Sequence, residues 1–303
     1  MDLNLLRLFV ALYEVGSLTV AAQRLFVSQP AASQALAKLR AALDDPLFER
    51  SGRVMVPTRL ADALYPDFSA ALRRIDDSVS DARAFDAAQT RRRFRIALSE
   101  LGELAYLRPI LRAVRTHAPH AGLDVVPLDV DALPRWLAQG TVDLAVTSSP
   151  VAGDFEPATV KPEAYVVLMA AAHPLAGREL TLDDYAAADH IVVASDSGMP
   201  RITAALARAG VEIAPAARVN HYSALAGLLL AGDLIATAPA SFVAPWTRSL
   251  PVVVHPLPVD IPPVEVRLLM RATSEQRAGL TWLRRTVLDA MRTVPAENWA
   301  PAV

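Results

Sequence analysis

Apolar residues recur at helical spacing from the start of the chain. Leu5, Leu6, Phe9, Val10 and Tyr13 mark one face of a first helix, and Gly16 stands where a C-terminal glycine ends one. Ser17 suits the N-cap of a second short helix carrying Leu18, Ala21, Ala22 and Leu25. Phe26-Val27-Ser28-Gln29 breaks the pattern, and Pro30 suits the first turn of a third helix. That helix buries Ala32, Leu36, Leu39 and Leu43 and turns Ser33, Gln34, Lys38 and Ala41 outward. Ala21, Ala22, Ala31 and Ala32 are small where the two helices must cross closely. Leu47 to Arg50, a Ser51-Gly52 turn and Arg53 to Pro57 then predict a hairpin with Arg50 and Arg53 on either side of its tip. Two helices joined by a tight turn describe a helix-turn-helix, and such a hairpin can place a guanidinium in or beside a DNA minor groove; by charge alone a three-helix protein-docking module with a solvated polar face reads equally well.

From Thr58 the apolar positions are Leu60, Leu64, Phe68, Leu72, Ile75, Val79 and Ala82, a heptad-like stripe on one long helix. One helix cannot bury such a stripe alone. Pro66 predicts a kink. Beyond Arg91-Arg92-Arg93, read as a solvated hinge, short apolar runs alternate with helical ones. Strands are expected at 94–98, 123–128 and 143–147, with helices at 101–116 and 132–138. A second set follows, with strands at 165–170, 191–194, 217–220 and 234–237 and helices at 200–209 and 223–230. A strand at 264–271 and a helix at 277–291 close the chain. The alternation argues βαβ units, parallel sheets and two α/β lobes facing a cleft.

Composition narrows the classes. Hydrophobic residues make up 53% and charged residues 20% of the 303, enough for folded cores. The absence of cysteine removes disulfides, thiolate metal sites and thiol catalysis together. A net charge of −2 leaves DNA binding to a local patch, and residues 1–60 carry seven basic against five acidic side chains. The longest apolar stretch, Ala224 to Gly232, is nine residues and ends at Asp233, short of a membrane span. With no basic leader at Met1-Asp2-Leu3-Asn4, a cytoplasmic protein is expected. There is no Gly-x-Ser-x-Gly elbow or glycine-rich phosphate loop, and His117 and His120 lack a third ligand. No enzyme activity, cofactor or metal is therefore expected. Ser195-Asp196-Ser197-Gly198 before a helix reads equally well as an anion site or as plain N-capping.

Residues Ala21-Ala22-Gln23-Arg24-Leu25, Val27 to Ser33, Asp45-Pro46-Leu47-Phe48-Glu49-Arg50 and Pro57-Thr58 resemble the winged helix-turn-helix of LysR-type transcriptional regulators. The likeness extends through Leu98 to Glu103, Val142 to Ala145, Asp233 to Pro239 and Trp282-Leu283-Arg284. It leans toward the branch that regulates nodulation and naphthalene or nitroaromatic catabolism. It implies a DNA-binding domain at 1–58, a dimerising linker helix at 59–87 and a periplasmic-binding-protein-like α/β effector domain at 88–303. Lobe I of that domain would be 88–163 plus 265–303, and lobe II 164–264. Partners implied are double-stranded DNA, a small-molecule effector and a second copy, as homodimer or homotetramer.

By the same resemblance, Ser28, Gln29, Pro30, Ser33 and Gln34 belong to the DNA-reading helix, while Lys38, Arg50 and Arg53 serve phosphates or the minor groove. The effector cleft would be lined by Ser99, Tyr106, Thr147, Glu163, Asp196, Ser197, Met199, His221 and Leu269. Family members often carry arginine where Gln34 stands, and aromatic-acid sensors carry histidines where Glu163 and Met199 stand. These departures imply a neutral or weakly polar, partly apolar effector, aromatic molecules included, stacked near Tyr106. The competing reading is a two-lobed solute-binding protein, against which the N-terminal helix-turn-helix argues.

Overall fold

The computed structural model describes residues 2–52, 54–81, 85–194, 198–261, 264–272 and 277–294, with only the backbone for 77–81 and 244–245. The chain divides into two compact units, residues 1–85 with 135–141, and residues 86–134 with 142–303.

In the first unit, α1 (Leu3–Val15), α2 (Leu18–Arg24) and α3 (Gln29–Leu43) precede β1 (Phe48–Ser51), β2 (Val54–Pro57) and α4 (Arg59–Asp81). Local chemistry sets each boundary. Gly16, at φ 62°, returns its N–H to the Leu12 carbonyl and ends α1. The Ser17 and Ser28 side chains accept the Val20 and Ala31 N–H groups and start α2 and α3. Leu8, Phe9 and Leu12 of α1, Ala21 and Ala22 of α2, Ala32, Leu36 and Leu39 of α3, and Phe48 form one buried cluster. Leu60, Leu64 and Phe68 of α4 pack on it. The expected stripe on α4 thus splits. Its first half serves this core, Leu72 is buried and Ile75 is exposed, while Val79 and Ala82 lie outside the described side chains. The helix runs unbroken through Pro66.

The second unit starts with β3 (Arg93–Leu98), α5 (Glu100–Gly102), a π turn at Glu103–Leu107 and α6 (Arg108–His117). Then come β4 (Gly122–Pro127), α7 (Leu133–Gln139, grouped from Arg135 onward with the first unit), β5 (Leu144–Thr147), β6 (Phe155–Glu163) and β7 (Tyr165–Ala170). Next are α8 (Leu182–Ala187), β8 (Asp189–Val193), α9 (Met199–Arg208), β9 (Ala217–Val219) and a 3₁₀ turn at Tyr222–Ala224. Finally α10 (Leu225–Ala231), β10 (Leu234–Pro239), α11 (Ala240–Ser249), β11 (Val252–Pro256), β12 (Val264–Arg271) and α12 (Ala278–Arg292) complete the unit.

Two five-stranded sheets result, ordered β4-β3-β5-β12-β6 and β11-β7-β10-β8-β9. Each is mixed, which corrects the expectation of parallel sheets. A parallel trio (β4-β3-β5 or β9-β8-β10) is extended by two strands in antiparallel pairings (β12 and β6, or β7 and β11). The chain leaves the first sheet after Glu163, enters the second at Tyr165 and returns at Val264.

Arg91 and Arg93 are exposed as expected, but Arg92 is not solvated, a second correction. Arg92 reaches Asp143 at 3.0 Å with both side chains nearly buried, and lies over the Phe94 ring. The other Asp143 oxygen accepts the Arg95 N–H at 2.8 Å, and Arg93 pairs with Asp124. These bonds fasten the first strand of the unit to its neighbours.

Candidate functional site

Two sets of residues carry candidate chemistry, one in each unit. In the first, α3 has two faces of opposite character. Ala32, Leu36 and Leu39 are buried, while Gln29, Pro30, Ser33, Gln34 and Lys38 are exposed. Ser28 is exposed too, but its hydroxyl holds the helix N-terminus. The wing is a hairpin with Arg50 opposite Met55 and Ser51 opposite Val54, turning at Gly52 with φ 64°. Arg50 is exposed and its Nε donates to the Gly52 carbonyl at 3.2 Å, and Arg53 lies outside the described residues.

Two side chains aim that wing. Arg40 donates to the Pro46 and Phe48 carbonyls at 2.7 Å each. One Asp45 oxygen accepts the Leu47 N–H at 2.6 Å and the Thr58 hydroxyl at 2.8 Å, and Thr58 in turn accepts the Ala61 N–H that opens α4. Asp45 therefore ties the start of the wing to the start of the long helix. Arg40, Arg24 (paired with Glu14) and Arg7 (paired with Asp76) are spoken for within the unit. Raw charge counting overstates what this unit offers to phosphates. Phe26 was missed by sequence reasoning. It is 97% exposed at φ 55°, in the turn just before α3. Its signal was an aromatic inside a polar turn.

In the second unit, the cleft candidates fall into separate places. Glu163, 4% exposed at the end of β6, accepts the Ser241 N–H at 2.8 Å and the Tyr106 hydroxyl at 3.3 Å. Lys161, two residues earlier on the same strand face, stands 4.0 Å away and donates to the Val294 carbonyl. The Ser241 N–H opens α11, so a carboxylate from the first sheet caps a helix leaving the second. Burial, and then the Glu163 charge, push the Tyr106 phenol well above its ordinary pKa, so it remains a neutral donor. Burial draws the Lys161 ammonium below the ordinary lysine value, against the pull of Glu163. The Tyr106 ring is covered, with Lys161 above its face. An effector stacking there must displace what already covers it.

A second carboxylate spans the same two sheets. Glu100 accepts the Tyr222 and Ser223 N–H groups at 2.7 and 3.0 Å, and His221 lies 3.5 Å away. Burial works to raise the Glu100 carboxyl, but the Ser223 and Tyr222 hydrogen bonds and His221 outweigh it and leave its pKa below the ordinary value. Ser99 caps α5 through the Gly102 N–H. Thr147 is buried and accepts the Ser149 N–H, and Leu269 is buried on β12. Met199 packs into the core of the second sheet's other face. Asp196 and Ser197, with Ser195, lie outside the described residues. Gly198 stands at the N-cap position of α9, and its carbonyl accepts the Arg201 and Ile202 N–H groups. A Cβ there would stand 1.8 Å from the Tyr165 hydroxyl, so close approach demands glycine.

Comparisons with known proteins agree with this layout. Residues 3–62 match the family model for the bacterial regulatory helix-turn-helix protein, lysR family, and residues 87–292 match the LysR substrate binding domain. The chain is 30% identical over 291 residues to the HTH-type transcriptional activator NagR of Ralstonia sp, covering 95% of this chain and 96% of that one. It is 30% identical to nodulation protein D 2 of Sinorhizobium fredii, covering 95% and 93%. Among solved structures, a probable transcriptional regulator from Pseudomonas aeruginosa superposes with a TM-score of 0.77 at 30% identity, covering 98% of both chains. No helix among the described residues is long and apolar enough to cross a membrane.

Proposed function

We propose, from the premise that the chain belongs to the LysR family of bacterial transcriptional regulators, that it reads operator DNA with α3 and the wing and responds to a small molecule bound between its lobes. The observation that carries this reading is the two-faced α3, which joins a fully buried inner side to an outer side of Gln29, Ser33, Gln34 and Lys38. Side chains of this kind read base edges, and Lys38 and Arg50 supply phosphate contacts. Residues 1–58 then read DNA, 59–87 link, and 88–303 sense. The exposed Ile75 on α4 supports pairing of that helix with a second copy.

Switching works through the two carboxylates that join the sheets, Glu163 to the Ser241 N–H and Glu100 to the Tyr222 and Ser223 N–H groups. A ligand shifts such an equilibrium only by its different affinity for the joined and separated forms. Glu163, ringed by satisfied partners, disfavours an anionic effector beside it. A neutral or weakly polar, partly apolar effector fits, and relatives named as NagR and as nodulation protein D support placing the chain in their branch.

The test is capture of genomic DNA fragments by the full-length protein at about 0.15 M salt. A discrete fragment set is expected, lost in the Ser33→Ala, Gln34→Ala double variant while its unfolding midpoint stays put. Retention of all fragments alike, with equal loss at higher salt, overturns sequence-specific reading.

A further inference from the structure

We infer that the second lobe carries a ligand site of its own, apart from the cleft between lobes, which takes a neutral, mainly apolar molecule bearing one hydroxyl group. The site is a cavity of about 600 Å³ enclosed by α8, α9, the loop after α9, and strands β8, β9 and β10, with no lining residue from the first sheet. Volumes of this order are typical of small-molecule sites. Its helical side carries the apolar Ile202, Leu206, Val211 and Ile213, and the exposed Thr203, Glu212 and Arg218 line its more open parts.

Its floor is not apolar. Alternation along β8 and β10 turns His190, Val192 and Thr237 to the same face as Ile235 and Val167, where packing alone asks for apolar side chains. His190, Thr237 and Tyr185 are all buried there. His190 Nε2 stands 2.6 Å from the Tyr185 carbonyl, one of the last carbonyls of α8, so Nε2 carries the proton and Nδ1 is an acceptor. The Tyr185 and Thr237 hydroxyls are 2.7 Å apart and share one hydrogen, which leaves the other hydroxyl hydrogen to donate. Among the described residues neither Nδ1 nor that hydrogen has a further protein partner.

Acceptor and donor thus belong to one buried floor, opposite the apolar helical side of the cavity. A ligand hydroxyl, alcohol or phenol, satisfies both at once: its hydrogen goes to Nδ1 and its oxygen takes the Tyr185–Thr237 hydrogen. The charged lining groups, Glu212 and Arg218, are exposed, and no buried charge faces the floor. A carboxylate or ammonium carried inside would lose its hydration without a partner.

The probe is 4-butylphenol, with butylbenzene and 4-butylbenzoate as matched controls, added to the full-length protein. At a hundredfold its dissociation constant the phenol is expected to raise the unfolding midpoint by roughly 5 °C or more. Each control is expected to bind at least tenfold more weakly. Val192→Phe fills the cavity from a strand and is expected to abolish phenol binding. The double variant Tyr185→Phe, Thr237→Val removes both hydroxyls at nearly constant shape and is expected to lower phenol affinity about tenfold while leaving butylbenzene unchanged, which holds the test open should Val192→Phe fold poorly. No binding by the wild type, equal binding of phenol and benzoate, phenol binding that survives Val192→Phe, or an undiminished phenol preference in the Tyr185→Phe, Thr237→Val double variant overturns the proposal.

Discussion

The two units expose their chemistry in opposite ways. In the first, candidate groups sit on the outer side of α3 and on a wing, and the core beneath them is made of other residues. In the second, candidate groups such as Glu163 and Tyr106 are themselves buried, and holding the sheets together is part of what they do. Recognition and stability are separable in the first unit and entangled in the second. Loss of function there cannot be interpreted before loss of folding has been measured.

The largest expected effect strikes the entangled side. Glu163→Ala leaves the Ser241 N–H uncapped and removes the buried carboxylate 4.0 Å from Lys161, and is expected to cost about 3 kcal/mol in denaturant unfolding. Glu163→Gln, which keeps an acceptor for Ser241, should recover most of that. Equal stability of Ala and Gln variants would show that the carboxylate is not a structural joint. Gly198→Ala drives a methyl into the Tyr165 hydroxyl and should cost about 1–3 kcal/mol. An unchanged melting midpoint would mean the segment before α9 yields freely.

On the separable side the contrast lies between two serines five residues apart. Ser28→Ala removes the α3 cap and should cost about 1 kcal/mol of stability. Ser33→Ala should leave stability within about 0.5 kcal/mol and change base preference in a competition assay. If Ser33→Ala melts early, the separation of roles fails.

The smallest effect concerns pH. Burial lowers the His190 pKa below its ordinary 6.5, against a hydrogen bond from its ring to the Tyr185 carbonyl and the nearby Asp189. Glu212 and Arg218, exposed on the same cavity, complete its charged surroundings. A base with a depressed folded-state pKa binds its proton first in the unfolded chain. Its contribution is therefore complete above about pH 6.5 and is lost as pH falls from there toward the folded-state value. Calorimetry from pH 7.5 to 5 should show a steeper acid loss for the wild type than for His190→Gln, and parallel curves would remove His190 from the account.

Legibility in the sequence follows the same division. The first unit was readable because its signals are local, with caps, turn glycines and helix periodicity all within a few residues of what they control. In the second unit, strands with intact alternation or continuous apolar runs were readable. Strand β6 was not, since Pro157 and Pro162 interrupt it, and it survives as an edge strand. Strand β11, ending at Pro256, lies at the other sheet's edge for the same reason. Helix α11 was missed because Pro245 lies within it. Glu163 was named by likeness to relatives, yet its partner Ser241 is 78 residues away and reachable only through the fold. Nothing local marked Glu100 as the cap of a backbone turn 122 residues later.

The π turn at Glu103–Leu107 has a consequence for how this chain tolerates change in length. A π turn holds one residue more than the α-helical turn it replaces, so it is what a single-codon insertion leaves inside a helix. Upstream of it Glu100 meets the second sheet, and downstream Ile110 and Val114 are locked in the first. The wide turn absorbs the extra residue, so those two stretches keep the phases of one straight helix. Deleting one residue of the five would return an α-helical turn and leave both stretches in phase, whereas a deletion in the α-helical turns beyond it would rotate one stretch against the other by roughly 100°. The chain would then have to give up either its grip across the sheets or its seat in the core.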